Sequence, residues 1–209
     1  MIIKCLPVGQ LQANCYIIGD EDTKEVAVID PGGEGEKIYD LMREKGYRIV
    51  YIIATHGHVD HIGAVKYLKE KSGAQVVIHK EDSSALTDSR KNLSVFMGVD
   101  CIQVPADRMV QGGEVINIGK YTLECIHTPG HTPGGMSLLT DKILLSGDTL
   151  FKGSIGRTDL PGGNHEQLIR SIQDKLLNLP DDVGVYPGHG ESTTIGDEKK
   201  TNPWVKPAL

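Results

Sequence analysis

A chain of 209 residues with 39% hydrophobic and 24% charged side chains is long enough to bury a sizeable core and polar enough to fold in water. No run approaches the roughly eighteen apolar residues of a membrane span, so no membrane partner is expected. The formal charge of −6, with basic residues scattered rather than clustered, argues against a nucleic-acid partner.

The N-terminus, MIIKCLPVGQLQANC, runs straight into strand-like sequence, without an apolar h-region and cleavage site, so no signal peptide is expected. MIIKCLPV, CYIIG and EVAVIDPGG read as three successive strands, the last stopped by Pro31-Gly32-Gly33. GEKIYDLMREKG places Ile38, Leu41, Met42 and Lys45 at helical spacing and ends at Gly46. YRIVYIIAT is a continuous apolar run, the pattern of a strand buried on both faces. AVKYLKEKSG predicts a second helix and AQVVIH another strand; residues 81–113 suggest a short helix, a loop and one strand. EVINIG, YTLECIHT, GMSLLT and KILLSGD resume the strands, and NHEQLIRSIQDKLLNL is helical, with Leu168, Ile169, Ile172, Leu176 and Leu177 in phase. DVGVYPGHG reads as strand then loop, and ESTTIGDEKKTNPWV as a last helix stopped by Asn202-Pro203. Strands and helices alternate without repeat or linker, which predicts one α/β domain over residues 1–209. Cys5, Cys15, Cys101 and Cys125 fit neither a disulfide framework nor a structural zinc spacing, so reduced, mostly buried thiols of a cytoplasmic protein are expected.

The chemistry concentrates in Thr55-His56-Gly57-His58-Val59-Asp60-His61, which follows the buried strand directly. His56 and His58 are two apart, so they diverge on a helix but converge from a turn. Neutral imidazoles beside a carboxylate suit zinc, iron or manganese. The competing reading, a solvated polar loop, fits poorly after so apolar a strand, because open α/β proteins place their sites at strand ends. Three later turns each offer one more ligand after a strand: His131 in TPGHTPGG, Asp148 in SGDTLF and His189 in YPGHG. Glycine lets the backbone reverse there and project the side chain. His79, His127 and His165 have no such setting and read as structural or solvated.

THGHVDH, TPGHTPGG, GDTLF and PGHG, in that order, resemble the ligand motifs of the metallo-β-lactamase superfamily over essentially the whole chain. The resemblance implies a four-layer αβ/βα sandwich of two mixed sheets with outer helices. It implies two divalent metal ions, zinc first, with iron or manganese as the alternatives. His56, His58 and His131 would hold the first and Asp60, His61 and His189 the second, with Asp148 bridging. Asp60 and Asp148 would be the catalytic carboxylates, with Asp60 also orienting water. Metal-bound hydroxide would attack an acyl carbon while a metal acts as Lewis acid, without a covalent enzyme intermediate.

Asp148 stands where many true β-lactamases of this fold carry cysteine, which moves antibiotic hydrolysis down the order. GDTLFKGSIGRTDLPGG is most similar to the compact hydroxyacylglutathione hydrolase (glyoxalase II) branch, so the expected partner is a small-molecule thioester such as S-lactoylglutathione. The C-terminal helical glutathione-binding domain of larger members is not expected here, which leaves the thiol open. Arg157 occupies the position of a glutathione-contacting basic residue; equally, it can pair with Asp159 within the Gly-Arg-Thr-Asp turn. An iron-dependent persulfide dioxygenase shares that turn and is the alternative, ahead of a non-catalytic binding protein on the same scaffold. Oligomeric state is not encoded in any motif.

Overall fold

In the computed structural model, which describes residues 1–99, 101 and 103–205, the apolar runs pair into two mixed sheets. The first half of the chain forms β1 (Ile2–Val8), β2 (Ala13–Gly19), β3 (Glu25–Ile29), α1 (Gly35–Glu44), β4 (Arg48–Ala54), the one-turn α2 (Val59–Ile62), α3 (Val65–Ser72), β5 (Gln75–His79) and β6 (Arg108–Val110). These six strands lie in sequence order across one sheet. β1, β2 and β3 run antiparallel, and β3, β4, β5 and β6 run parallel. The second half forms β7 (Val115–Ile118), β8 (Tyr121–His127), β9 (Met136–Thr140), β10 (Ile143–Gly147), the hairpin β11 (Leu150–Phe151) and β12 (Ser154–Ile155), α4 (His165–Ser171), β13 (Gly184–Pro187), β14 (Thr193–Thr194) and α5 (Ile195–Thr201). Its sheet runs β14-β13-β10-β9-β8-β7, with β10 and β13 the parallel pair.

Period-two alternation explains why both faces of the strands are apolar. Ile17 and Ile52 point to one side, where Ile38 and Met42 of α1 and Val65 and Leu68 of α3 cover them. Their neighbours Ile18 and Ile53 point to the other side and meet Ile116, Leu123 and Leu138 of the second sheet. Leu144 and Val185 turn outward onto Leu168, Ile172 and Ile195. Helix, sheet, sheet, helix is thus the layer order, the expected αβ/βα sandwich.

The departures are local. Residues 81–113 form two 3-10 turns, Ser83–Thr87 and Ser94–Met97, before β6. The run 164–179 begins as α4 but widens into a π turn over Ile172–Leu176, where the ladder slips by one residue and Leu177 N bonds Ile172 O at 2.9 Å. The last helix starts later than its polar run suggests. β-branched Thr193 and Thr194 pair with β13 as an edge strand, and Thr194 Oγ1 then caps α5 by accepting from Asp197 N at 3.1 Å. β11 and β12, at two residues each, are too short to carry a period. Among the described residues Cys15, Cys101 and Cys125 are buried, Cys5 is exposed, and no disulfide joins them. No helix of the described residues is long and apolar enough to cross a membrane.

Candidate metal centre

β4 ends in the fully buried Ile52-Ile53-Ala54, and the chain turns at Thr55. Thr55 donates from N to Asp30 Oδ1 and from Oγ1 to Asp30 Oδ2, each at 2.7 Å. Asp30 is itself buried and holds a left-handed backbone (φ 53°) between β3 and Pro31. The turn continues through Gly57, whose N–H donates to Asp82 Oδ2 at 3.0 Å, and into α2, which carries Asp60 and His61. Asp82 Oδ1 accepts from Gly134 N at 2.6 Å, so this one buried carboxylate ties the turn holding His56 and His58 to the loop holding His131.

Asp148 follows β10, whose pairing with β13 shifts register between Leu145 and Gly147. An irregularity at that point re-aims the following side chain. Gly147 adopts φ +50°, and a Cβ there would sit 2.5 Å from Thr55 Oγ1. His189 follows β13 in a loop held from below by β2. Asn14 Nδ2 donates to the carbonyls of Pro187 and Gly190 at 3.0 Å each, and Tyr16 Oη donates to Pro187 O at 2.8 Å. A Cβ on Gly188 would collide with Asp148 Oδ1 and lie 2.8 Å from His61 Cε1, so only glycine lets this loop close on the cluster.

The structure thereby brings all seven sequence-identified side chains together. Donor atoms of His56, His58 and His131 lie within 4.8 Å of one another, as do those of Asp60, His61 and His189. His56, His61 and Asp148 form a third such group, so Asp148 stands between the two trios. Its Oδ1 is 3.5 Å from His61 Nε2, while its Oδ2 is 3.6 Å from His131 Nε2 and 3.8 Å from His189 Nε2. His58 Nδ1 and His131 Nε2 are 3.0 Å apart, and His61 Nε2 and His189 Nε2 are 3.2 Å apart. Four ligands at 2.0–2.1 Å from one zinc stand roughly 3.3 Å from each other, so these separations fit a shared cation.

Two further observations support that fit. His56 Nε2 and Asp148 Oδ1 are buried and have no hydrogen-bond partner, a rare condition that a metal would relieve. The far nitrogens are oriented from behind: His131 Nδ1 donates to Arg157 O at 2.7 Å, and His61 Nδ1 lies 3.1 Å from Asp30 Oδ2. Imidazoles held this way present the other nitrogen's lone pair to the centre.

Electrostatics divides the cluster. Burial, then the neighbouring histidines, pushes His56 well below the ordinary imidazole range and His58 down to about 3, so both are neutral donors at physiological pH. Burial acts the same way on His61, but Asp148 and Asp30 outweigh it and raise its pKa to about 10. His189 is raised chiefly by its hydrogen bond to Asp60, 3.2 Å from Nε2 to Oδ2. Burial opposes ionisation of Asp60, yet His189 and His61 hold its carboxyl below the usual carboxylate range. Burial raises Asp82, against the pull of its N–H donors.

The cluster forms the floor of a cavity of about 810 Å³, which also exposes His58, Asp60, His131, Asp148 and His189. Arg157 lines this mouth, but its guanidinium is bidentate to Asp159, with Nε–Oδ1 2.8 Å and Nη2–Oδ2 2.7 Å. His79 and His127 stack on each other at 4.0 Å, and His165 faces Trp204; none belongs to the three donor groups. Asp30, Asp82 and Asn14 support the centre and escaped the sequence. Asp30 in Asp-Pro-Gly reads as turn chemistry, and Asp82 and Asn14 stand alone with no spacing to mark them.

The comparisons with known proteins agree with this geometry. Residues 8–189 match the sequence profile of the metallo-beta-lactamase superfamily. A probable metallo-hydrolase, YqgX, of Bacillus subtilis is 42% identical over 96% of this chain and 95% of its own. The hydroxyacylglutathione hydrolase GloC of Haemophilus influenzae is 40% identical over 98% of both. Among solved structures, the BLEG-1 B3 metallo-beta-lactamase superposes with a TM-score of 0.93 at 38% identity, covering 99% of this chain and 100% of that one. ETHE1 from Myxococcus xanthus superposes at 0.84 and 31% identity, over 97% and 84%. TTHA1623 in a di-iron-bound form gives 0.85 at 34%, over 96% and 99%. With four ordered ligand motifs, the αβ/βα layers and this match over most of its length, the chain belongs to the metallo-beta-lactamase superfamily.

Proposed function

We propose that the chain is a dinuclear metal-dependent hydrolase that cleaves a thioester such as S-lactoylglutathione. The observation that carries this reading is the position of Asp148, with one oxygen toward His61 and the other toward His131, between two three-residue donor sets at the floor of one cavity. His56, His58 and His131 would hold one cation and Asp60, His61 and His189 the other, with Asp148 available to both. Divalent metals in such a site supply Lewis acidity and acidify water. Asp60 keeps its carboxylate at the cavity surface, charged and beside His189, where it would accept a hydrogen bond from water and set its direction. The lining has no cysteine, and Ser154 is its one side-chain hydroxyl among the described residues, which favours direct attack by water over an acyl-enzyme. Likeness to GloC supports a thioester, and likeness to a di-iron form and to zinc-type ligand sets leaves zinc, with iron or manganese as alternatives, as the proposed metals.

A second reading, iron-dependent persulfide oxidation, is favoured by the shared Gly156-Arg157-Thr158-Asp159 turn, while the complete second donor set favours hydrolysis. The test uses purified protein of measured metal content, offered S-lactoylglutathione, glutathione persulfide with an oxygen electrode, and a β-lactam. Thioester cleavage without oxygen uptake is expected. Oxygen uptake with persulfide and no thioester cleavage overturns the reading, as does turnover of the β-lactam alone.

A further inference from the structure

The cavity above the metal centre is walled by apolar side chains. Leu11, Phe96 and Met97 supply part of that wall, and Phe151, Ile155 and Leu160 another part. Phe96 is 73% exposed, Leu11 52% and Met97 42%. Large apolar groups gathered in solvent around one opening mark a binding surface. Both parts have firm footings. Buried Asn92 holds the base of the Ser94–Met97 turn, donating to Ala85 O at 3.0 Å and Cys101 O at 2.8 Å and accepting from Ser94 N at 3.0 Å. Its own carbonyl accepts from Val59 N at 2.9 Å, which joins that wall to the helix carrying Asp60 and His61. The β11–β12 hairpin in turn is pinned by buried Glu198, which accepts from Gly153 N at 2.9 Å, and by Asn202, which donates to Ser154 O at 3.0 Å.

Charge decides what such a mouth receives. Among the described lining residues the one Lys or Arg is Arg157, and the Nε and Nη2 edge of its guanidinium already serves Asp159. Arg90 and Lys91 line a separate groove that the cavity meets at His58, Phe96 and Pro161. A thiol arm bearing several carboxylates or phosphates meets one side-chain guanidinium there, already paired along one edge, and burying the remaining charge unpaired against apolar walls is costly. The acyl half of a thioester is the part that can be wholly apolar.

Resting on the hydrolase reading above, we infer that this cavity takes the acyl chain of the substrate, and that the preferred substrates are thioesters of apolar, medium-length or aromatic acyl groups. The thiol arm turns outward toward the Arg90 side. In the reaction water adds its oxygen to the thioester carbonyl carbon, the C–S bond breaks, and the sulfur leaves with the bond pair and one proton of that water. The products are a carboxylic acid with an apolar tail and a free thiol. Each methylene buried against the walls is worth about 0.8 kcal/mol, or about fourfold, when enclosed, and about twofold if half-enclosed.

The test is a chain-length series of S-acyl-N-acetylcysteamine thioesters, acetyl through octanoyl, run beside S-lactoylglutathione with the metal-loaded enzyme and with Phe96→Ala. From acetyl to hexanoyl, four methylenes, kcat/KM is expected to rise between about 16- and 250-fold. Phe96→Ala, altering a side chain mostly in solvent, is expected to fold and to flatten that rise by lowering hexanoyl turnover more than acetyl turnover. Cleavage of S-lactoylglutathione with a flat or falling acyl series overturns this inference and leaves the hydrolase reading standing. A steep series that Phe96→Ala leaves unchanged overturns the assignment of the chain to this wall. Failure to cleave any thioester overturns both.

Discussion

The two donor sets of the metal centre are built on opposite principles. His56, His58 and His131 are imidazoles alone, at 5% exposure or less, and burial keeps His56 and His58 neutral. Asp60, His61 and His189 combine a carboxylate with imidazoles raised by carboxylates, and Asp60 and His189 reach the cavity, with side chains 17% and 29% exposed. Their supports differ as well. The inner set rests on backbone anchors, Gly57 and Gly134 on Asp82 and His131 on the Arg157 carbonyl. The outer set adds charge, through Asp30 behind His61 and Asp148 in front of it, to the Asn14 and Tyr16 hydrogen bonds under the His189 loop. A neutral, enclosed set is organised before any cation arrives. A charged, half-open set depends more on the balance of charge within it, and is expected to exchange a cation more readily.

The sharpest way to break that comparison is to remove one ligand from each set. His58→Ala is expected to cost more than 100-fold in kcat, beyond the range of supporting-residue changes. His189→Ala is expected to retain about one metal per chain by elemental analysis, whereas His58→Ala loses the tighter of the two. If His189→Ala arrives empty and His58→Ala keeps both metals, the ranking of the two sets is reversed.

A smaller effect sharpens the contrast in supports. Asp30→Asn preserves the left-handed backbone, which Asn tolerates, and an acceptor for Thr55, but removes the charge behind His61. Metal affinity of the outer set is expected to fall about 10- to 100-fold in a chelator titration while the inner set holds. Equal weakening of both metals would mean that Asp30 acts through the fold and not through His61.

The smallest effect is expected at Arg157. With its guanidinium engaged by Asp159 and well exposed, Arg157→Ala is expected to change KM for S-lactoylglutathione by less than about threefold. A rise of about tenfold or more, the scale of a charge-assisted contact, would put the guanidinium on substrate instead.

What the chain announces by itself follows from local physics. A continuous apolar run specifies a strand covered on both faces, as in β4, and glycines beside a lone His or Asp specify a turn that projects it. Both can be read within a few residues, which is why most strands and the seven candidate donors were legible in the sequence, whereas the layer order came from the resemblance of the ordered motifs. What only the tertiary structure decides depends on contacts across the chain. Asp82 becomes an anchor because two backbone N–H groups, 25 residues before it and 52 after it, converge on its buried carboxylate. Asn14 matters because β2 happens to underlie a loop 173 residues later. Arg157 had two equal roles in sequence, and the backbone of its turn brings Asp159 within 2.7–2.8 Å of its fork. The apolar mouth is assembled from Leu11, the 93–97 turn, the β11–β12 hairpin and Leu160, four segments with no shared period. Hydrophobic pattern is a property of neighbours in sequence; the lining of a site is a property of neighbours in space, and only the packing of the two sheets makes those residues neighbours.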